Sequence, residues 1–409
     1  MESRRRRIVS KKSIRNFTVL LTLVFLIATL LTGCGSSKPP AAEKKTVKIG
    51  FIGPLTGPNA MQGTGARNAF QLAVKQANDS GKLSFKLEVV DLDDASNPAT
   101  GASAAQKLVA DSSIVAVSGH WNSPVAEATI PIFKSAGMPL VIWGAISPKL
   151  TNPENFPYVT RVAPTQSQEN APLAKFVASD LGRKKWAIIS DTSTYGKSNT
   201  EAWTAEMKKY PGSIIVSVDE IQVGQTDFRP ILSKIKTQGV DGIYFGSVVM
   251  EGAMVRRQAN ELGMKDTLMV GISGIMEAKF IETASAAAAE GVIATKPGAA
   301  IEKMPGGQKF DEGYKNAGFK EPYGAYGPYA YDAANIIIEA LKTAGPDKKA
   351  LVPAITKISY DGLLGTTSFN EVGQTKNIMS TIYVAENGKW VAWDSSEYKK
   401  GARKLPGAK

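Results

Sequence analysis

The chain has 409 residues with a single cysteine, Cys34, and a single histidine, His120, which excludes a disulfide framework, a CxxC redox pair and a cysteine-based zinc site. Its formal charge of +12 would suit a nucleic-acid binder, but residues 1–33 hold seven basic residues against Glu2, and the remaining 42 basic and 36 acidic residues are dispersed with no basic block. More than 350 residues follow the first 45, beyond what one hydrophobic core usually organises, so two lobes are expected.

The amino-terminal segment is basic (Arg4 to Arg7, Lys11, Lys12, Arg15) and is followed by an apolar run over 17–31. That length suits a signal peptide better than a full membrane span. Leu31, Thr32, Gly33 and Cys34 then resemble a bacterial lipoprotein processing site, where diacylglycerol is attached to the cysteine and the chain is cleaved before it. The resemblance implies a lipoprotein signal peptide over 1–33, lipidation at Cys34 and an extracytoplasmic protein anchored to the cell membrane. Residues 34–45 are small, proline-containing and charged, the composition of a flexible tether.

From residue 47 short apolar runs alternate with helical periods, the signature of β-α units on parallel sheets. The pattern predicts strands over 47–53, 85–91, 114–119, 140–143 and 158–161, with helices over 64–80, 99–111 and 124–136. The alternation then restarts. Helices are predicted over 168–181, 197–210, 228–238 and 251–262, and strands over 186–191, 213–221, 242–246, 268–271 and 291–295. Helices over 308–317 and 329–343 are left over, so the chain is expected to pass between two similar lobes more than once.

In open parallel sheets ligands lie beyond the carboxyl ends of the strands, which selects the loops 54–63, 91–98, 120–124, 144–148, 192–196, 247–251 and 272–274. Catalytic patterns are missing there. No GxSxG elbow follows a strand, so His120 reads as structural or pocket-lining. Asp91, Asp93 and Asp94 lack the glycine and distal glutamate of a calcium loop and read as a strand-end turn. The glycines of residues 63–66 match neither a P-loop nor a dinucleotide fingerprint. Trp121, Trp143, Tyr195 and Tyr326, beside the hydroxyls of Ser123 and Ser147, instead point to a pocket for a small organic molecule.

Taken in order, VKIGFIGPLTGPNAMQGTGARNAFQLAVKQAN, VVDLDDASNP, VSGHWNSPV, DTSTYGKS, DGIYFG with QANELGM, and ATKP with AYGPYAYDA resemble the solute-binding proteins of branched-chain amino acid type ABC transporters. The resemblance spans 47 to about 393. It implies an α/β type I periplasmic-binding-protein fold, two Rossmann-like lobes with three hinge crossings near 161–164, 295–297 and 375–379. Lobe 1 would comprise 46–162 and 297–375, and lobe 2 163–296 and 376–405. It further implies a monomer without cofactor, metal or nucleic acid, which delivers a small ligand to a membrane permease driven by ATPase subunits. A sensor domain on the same fold is the alternative.

The resemblance also assigns site residues. Ser123 matches the serine that holds the ligand carboxylate, with the Ile146 N–H as a second donor, and Gly144 would offer a carbonyl to the ligand ammonium. Two family groups are replaced: a threonine position reads Ile146 and an acidic position reads Ser273. Tyr195 and Tyr326 match pocket rings, and Trp121 lies beside Ser123. A further aromatic position reads Val248, the aromatic of the first loop reads Gln62, and the positions of a disulfide found in some members read Ser96 and Asn122. Losing two hydrogen bonds to a charged group costs about 3 to 6 kcal/mol. Either Glu251 or Glu277 supplies the missing charge, or the ligand has no α-amino group; the second is the expectation.

Overall fold

The computed structural model describes residues 44–408. The expected signal peptide 1–33, Cys34 and nearly all of the 34–45 tether therefore lie outside the described residues.

Strands β1 (Thr46–Gly53), β2 (Lys86–Asp93), β3 (Ile114–Ser118), β4 (Leu140–Ile142) and β5 (Val159–Arg161) form one sheet in the order β2-β1-β3-β4-β5, every neighbour parallel. Their apolar runs are nearly continuous because both faces are covered. Ile49 and Phe51 pack toward Ala66 and Phe70 of helix α1 (Ala60–Asp79). Ile52 and Val117 pack toward Leu108 of α2 (Pro98–Ala110) and Ile130 and Phe133 of α3 (Ser123–Ser135).

A second sheet begins after helix α4 (Gln166–Lys175). It contains β6 (Lys185–Asp191), β7 (Ile214–Ile221), β8 (Gly242–Phe245), β9 (Leu268–Gly271) and β10 (Ile293–Pro297), and between them helices α5 (Thr194–Met207), α6 (Arg229–Lys236), α7 (Val249–Glu261), α8 (Ala278–Ala284) and α9 (Ala286–Ala289). The chain then returns to the first sheet, where α11 (Gly327–Ala344), preceded by α10 (Gly307–Asn316) and followed by α12 (Lys348–Thr356), packs against α1. A hairpin of β11 (Ser359–Gly362) and β12 (Gly365–Ser368) follows. Finally β13 (Ser380–Glu386) and β14 (Lys389–Ala392) extend the second sheet, giving the order β14-β13-β10-β9-β8-β6-β7 with the last-added pair antiparallel.

Three passages between the sheets result, after β5, after β10 and before β13. Arg161 ties the first to the third. Fully buried at the end of β5, it donates from Nε to Gln374 Oε1 (2.7 Å), from Nη1 to the carbonyls of Ala145 (3.0 Å) and Ser147 (2.6 Å), and from Nη2 to Thr151 Oγ1 (2.7 Å). Gln374 Nε2 in turn donates to the Ala163 carbonyl (2.9 Å). Burial pulls the guanidinium down to about 9, yet all its bonds go to neutral acceptors that hold it in the fold.

The predicted helix over 168–181 differs in two respects. A capping box between Thr165 and Gln168 starts it at Gln166, and after Lys175 it widens into a π turn, Phe176–Asp180. The carboxy-terminal hairpin β13-β14 was not predicted, although Asn387-Gly388, with φ of 52° and 76°, is the turn that a two-residue hairpin demands.

Candidate functional site

A cleft holding about 600 Å³ of unfilled space, part of it open to solvent, lies between the carboxyl ends of the two sheets. On the first lobe its wall is the start of α3. Ser123 is buried, and its Oγ accepts the Ser147 N–H (3.2 Å), so the hydroxyl proton is left to donate into the cleft. Asn122, at the N-cap position, makes no side-chain cap bond, and its Oδ1 is buried without a partner. The helix end therefore presents positive backbone dipole and a hydroxyl donor to the same space. Trp121, Gly144, Ser96 and Asn59 complete this side.

The second lobe contributes a carboxyl group. Asp191 ends β6 and lines the cleft; Oδ1 accepts the Ser193 N–H (2.8 Å) and Oδ2 accepts the Ser247 hydroxyl (2.5 Å). Each oxygen retains lone-pair capacity for a donor in the cleft. Ser193 caps α5 by accepting the Gly196 N–H (3.3 Å), which fixes Tyr195 in the first turn of that helix. Tyr195, Val223, Val248 and Tyr326 give the cleft its apolar walls. Burial raises the phenols of Tyr195 and Tyr326 above the ordinary tyrosine range, so both rings are neutral.

Of the expected site residues, Ser123, Gly144, Trp121, Tyr195 and Tyr326 meet in this one cleft. Three do not line it. Ile146 is buried in the hydrophobic core, with its carbonyl accepting the Gln166 N–H (3.0 Å). Ser273 lies behind Tyr326: its Oγ bonds the phenol at 2.6 Å, and its N–H donates to Glu169 Oε2 at 3.1 Å. Gln62 lines a neighbouring cavity with Glu277. Glu251 also stands off the cleft and accepts the Gly224 N–H (2.8 Å).

Two acids near the site escaped the sequence reading. Asp191 sits one residue before the loop 192–196 that the strand-end rule selects, because it is the last residue of the β6 strand pattern. Glu169 lies in the first turn of α4, fully buried beside Ser273 and Tyr326. Burial pushes its carboxyl up to about 7, partly offset by the Ser273 N–H and the phenol. The Thr165 cap was the signal that would have placed it on an inward-facing first turn.

His120 is structural. Wholly buried, its Nδ1 lies 3.3 Å from Asp94 Oδ2 and its Nε2 2.7 Å from Thr129 Oγ1. The acidic turn also reads as expected: Asp93 Oδ1 accepts the N–H groups of Leu55 (2.7 Å) and Ala95 (2.8 Å).

A two-sheet fold crossed three times, with an apolar-walled cleft holding a few polar groups at the strand ends, is an architecture for holding a small molecule between lobes. The family model described as periplasmic binding protein matches residues 46–389, and the chain belongs to that family. It is 30% identical over 378 residues to the Leu/Ile/Val-binding protein BraC3 of Rhizobium johnstonii, covering 91% of this chain and 100% of that one. It is 29% identical over 343 residues to the leucine-, isoleucine-, valine-, threonine- and alanine-binding protein of Pseudomonas aeruginosa, covering 83% and 89% respectively. Among solved structures, the branched-chain amino acid transporter substrate binding protein LivJ of Streptococcus pneumoniae, in complex with isoleucine, superposes with a TM-score of 0.77 at 26% identity, covering 85% of this chain and 100% of that one. The type I fold and the role of ligand-binding subunit of an ABC importer are thereby established, in a family of extracytoplasmic transport proteins rather than enzymes. Among the described residues no helix is long and apolar enough to cross a membrane.

Proposed function

We propose that the chain captures a small α-amino acid in the cleft and passes it unchanged to a membrane permease, while a lipid on Cys34 holds it at the membrane. The observation that carries this reading is the pairing of opposite polarities across one cleft: the Ser123 hydroxyl with the α3 amino terminus on one wall, the Asp191 carboxylate on the other. A zwitterion satisfies both. A bare carboxylate would be repelled by Asp191 and leave it without a donor.

In this reading Ser123 and the α3 backbone hold the ligand carboxylate, and the Gly144 carbonyl and Asp191 hold the ammonium. Trp121, Tyr195, Tyr326 and Val248 cover the carbon body. Ile146 and Ser273 act from behind the wall. The sequence-based expectation of a ligand without an α-amino group rests on Ile146 and Ser273 replacing a threonine and an acid; in this reading Asp191 supplies the charge from another strand. Lobes 46–162 with 297–375, and 163–296 with 376–405, close over the ligand as a monomer.

Calorimetry with α-amino acids and their des-amino analogues tests the site. The amino form is expected to bind at least about tenfold more tightly, and Asp191→Asn to remove most of that preference. Equal binding of the two forms would overturn the zwitterion reading. For the anchor, Cys34→Ala is expected to leave an unprocessed precursor, and an unmodified Cys34 in protein from its native membrane would exclude lipidation.

A further inference from the structure

Behind the cleft wall, polar groups carried by both sheets meet away from solvent. Glu169 comes from the first turn of α4, Ser273 from the turn after β9, and Tyr326 from the start of α11, the helix that packs on α1 of the first sheet. All three are buried, and of the three only Tyr326 also lines the cleft. The Ser273 hydroxyl and the Tyr326 phenol lie 2.6 Å apart, the phenol oxygen is 3.5 Å from Glu169 Oε1, and Glu169 Oε2 accepts the Ser273 N–H at 3.1 Å.

Among the described residues no cation pairs with the Glu169 carboxyl. The titratable groups that bear on it from α5, β8 and α11 are the phenols of Tyr195, Tyr244, Tyr326 and Tyr329, all held neutral by burial. β10 and β13 also pack on α4, but Lys296 feels Glu277 and Glu302, Tyr383 feels Glu302, and Glu386 accepts the Glu397 N–H. On α4 itself Lys175 is exposed, and Arg161 at the hinge spends its guanidinium on Ala145, Ser147, Thr151 and Gln374. Either ionisation state finds hydrogen bonds: the phenol donates to a carboxylate, whereas a proton on Oε1 turns that bond round and leaves the phenol proton to Ser273. Burial without a cation therefore decides, and it favours the neutral acid over the pull of the helix's positive end.

We propose that Glu169 is a positioning residue for ligand capture: carrying a proton, it seats Tyr326 and Ser273 against each other behind the cleft, so that closing the lobes on ligand takes up a proton. The proposal rests on the amino-acid reading above and adds a regulation to it. Parting the lobes draws Tyr326 away and admits water to the carboxyl, which then ionises near its ordinary 4.5 instead of about 7. The advantage of the closed arrangement is complete below the exposed value and is lost as pH rises through 7.

Calorimetry with leucine and alanine from pH 5 to pH 8 is the test. Affinity is expected to fall about tenfold or more across that range, and binding near pH 6 to take up as much as one proton, read from heats in buffers of different ionisation enthalpy. Glu169→Gln keeps an N–H donor for Tyr326 and an oxygen for the Ser273 N–H. It should bind at pH 8 about as tightly as the parent does at pH 5, with neither pH dependence nor proton uptake. Glu277 and Asp332 are also pushed up to about 7, so a pH profile that survives in Glu169→Gln overturns the role of Glu169. A flat profile without proton uptake in the parent does the same, needs no variant, and leaves the amino-acid reading intact. Failure of both amino acids to bind at every pH overturns both.

Discussion

The Ser123 Oγ already accepts the Ser147 N–H, which leaves its proton to donate into the cleft. Ser123→Ala should weaken ligand binding by about 1.5 to 3 kcal/mol, the value of a hydrogen bond to a charged group, and calorimetry reads it directly. Glu169 offers a test of a different kind. Burial raises it from 4.5 to about 7, so the folded protein holds its proton more tightly than the unfolded chain does. The stability this brings is complete below the unfolded value and is lost as pH rises through 7. Glu169→Gln never ionises, so its melting temperature relative to the parent should climb between about pH 5 and about pH 8, by an amount equivalent to a few kcal/mol at most. A constant difference across that range would show that ionisation of Glu169 is not the cause.

At the scale of elements, both lobes bring a helix hard against the end of the strand before it. A Cβ on Gly63 would stand 1.9 Å from the Pro54 carbonyl oxygen just after β1, and one on Gly196 would stand 2.0 Å from the carbonyl oxygen of Asp191, the last residue of β6. Gly65 is as tight, 2.3 Å from the Pro322 carbonyl. These glycines, which match no phosphate-binding motif, are therefore packing glycines that let backbone meet backbone. Gly196→Ala must move either α5 or the strand end, and neither is a soft side chain. It is expected to destabilise the protein by about 1 to 3 kcal/mol and to weaken ligand binding as Asp191 shifts, with thermal melts and calorimetry as the two readouts. Full stability in that variant would mean the contact is looser than drawn.

For the whole molecule the relevant quantity is the cost of opening. Beside the cleft the lobes touch through exposed polar pairs, Thr194 with Glu127 and Lys149 with Glu201, the latter at 3.9 Å, and through buried hydroxyl contacts, Ser147 with Ser198 at 2.9 Å and Tyr326 with Ser273 at 2.6 Å. The exposed pairs are worth little, about 0 to 1 kcal/mol each, and each buried hydrogen bond about 0.5 to 1.5 kcal/mol. The Arg161 and Gln374 network, by contrast, binds the first and third passages into one buried unit and keeps the hinge from splaying. Ligand groups shared between Ser123 and Asp191 would add to these contacts and shift the equilibrium toward the closed form. Small-angle scattering should show a more compact particle at saturating ligand than without it; an unchanged radius would sink the clamp while leaving the fold untouched.

The sequence by itself determined the β-α alternation, the two lobes and the placing of Ser123, Trp121, Gly144 and Tyr195 at strand ends, because burial of both sheet faces and the strand-end rule leave periodic and positional traces; Tyr326, at the start of α11, lies outside that rule. It did not reveal which acid lines the cleft. Ser273 holds the expected place in the chain, but the fold turns it behind Tyr326 and brings Asp191 forward from another strand. Nor did it separate Gln62 from the cleft, since a cavity is bounded by residues far apart in sequence. The β13-β14 hairpin was short and half-buried, so only its Asn387-Gly388 turn carried a signal. Local patterns encode which face of an element is buried; which charge meets which across a gap depends on long-range packing, and tertiary structure alone decides it.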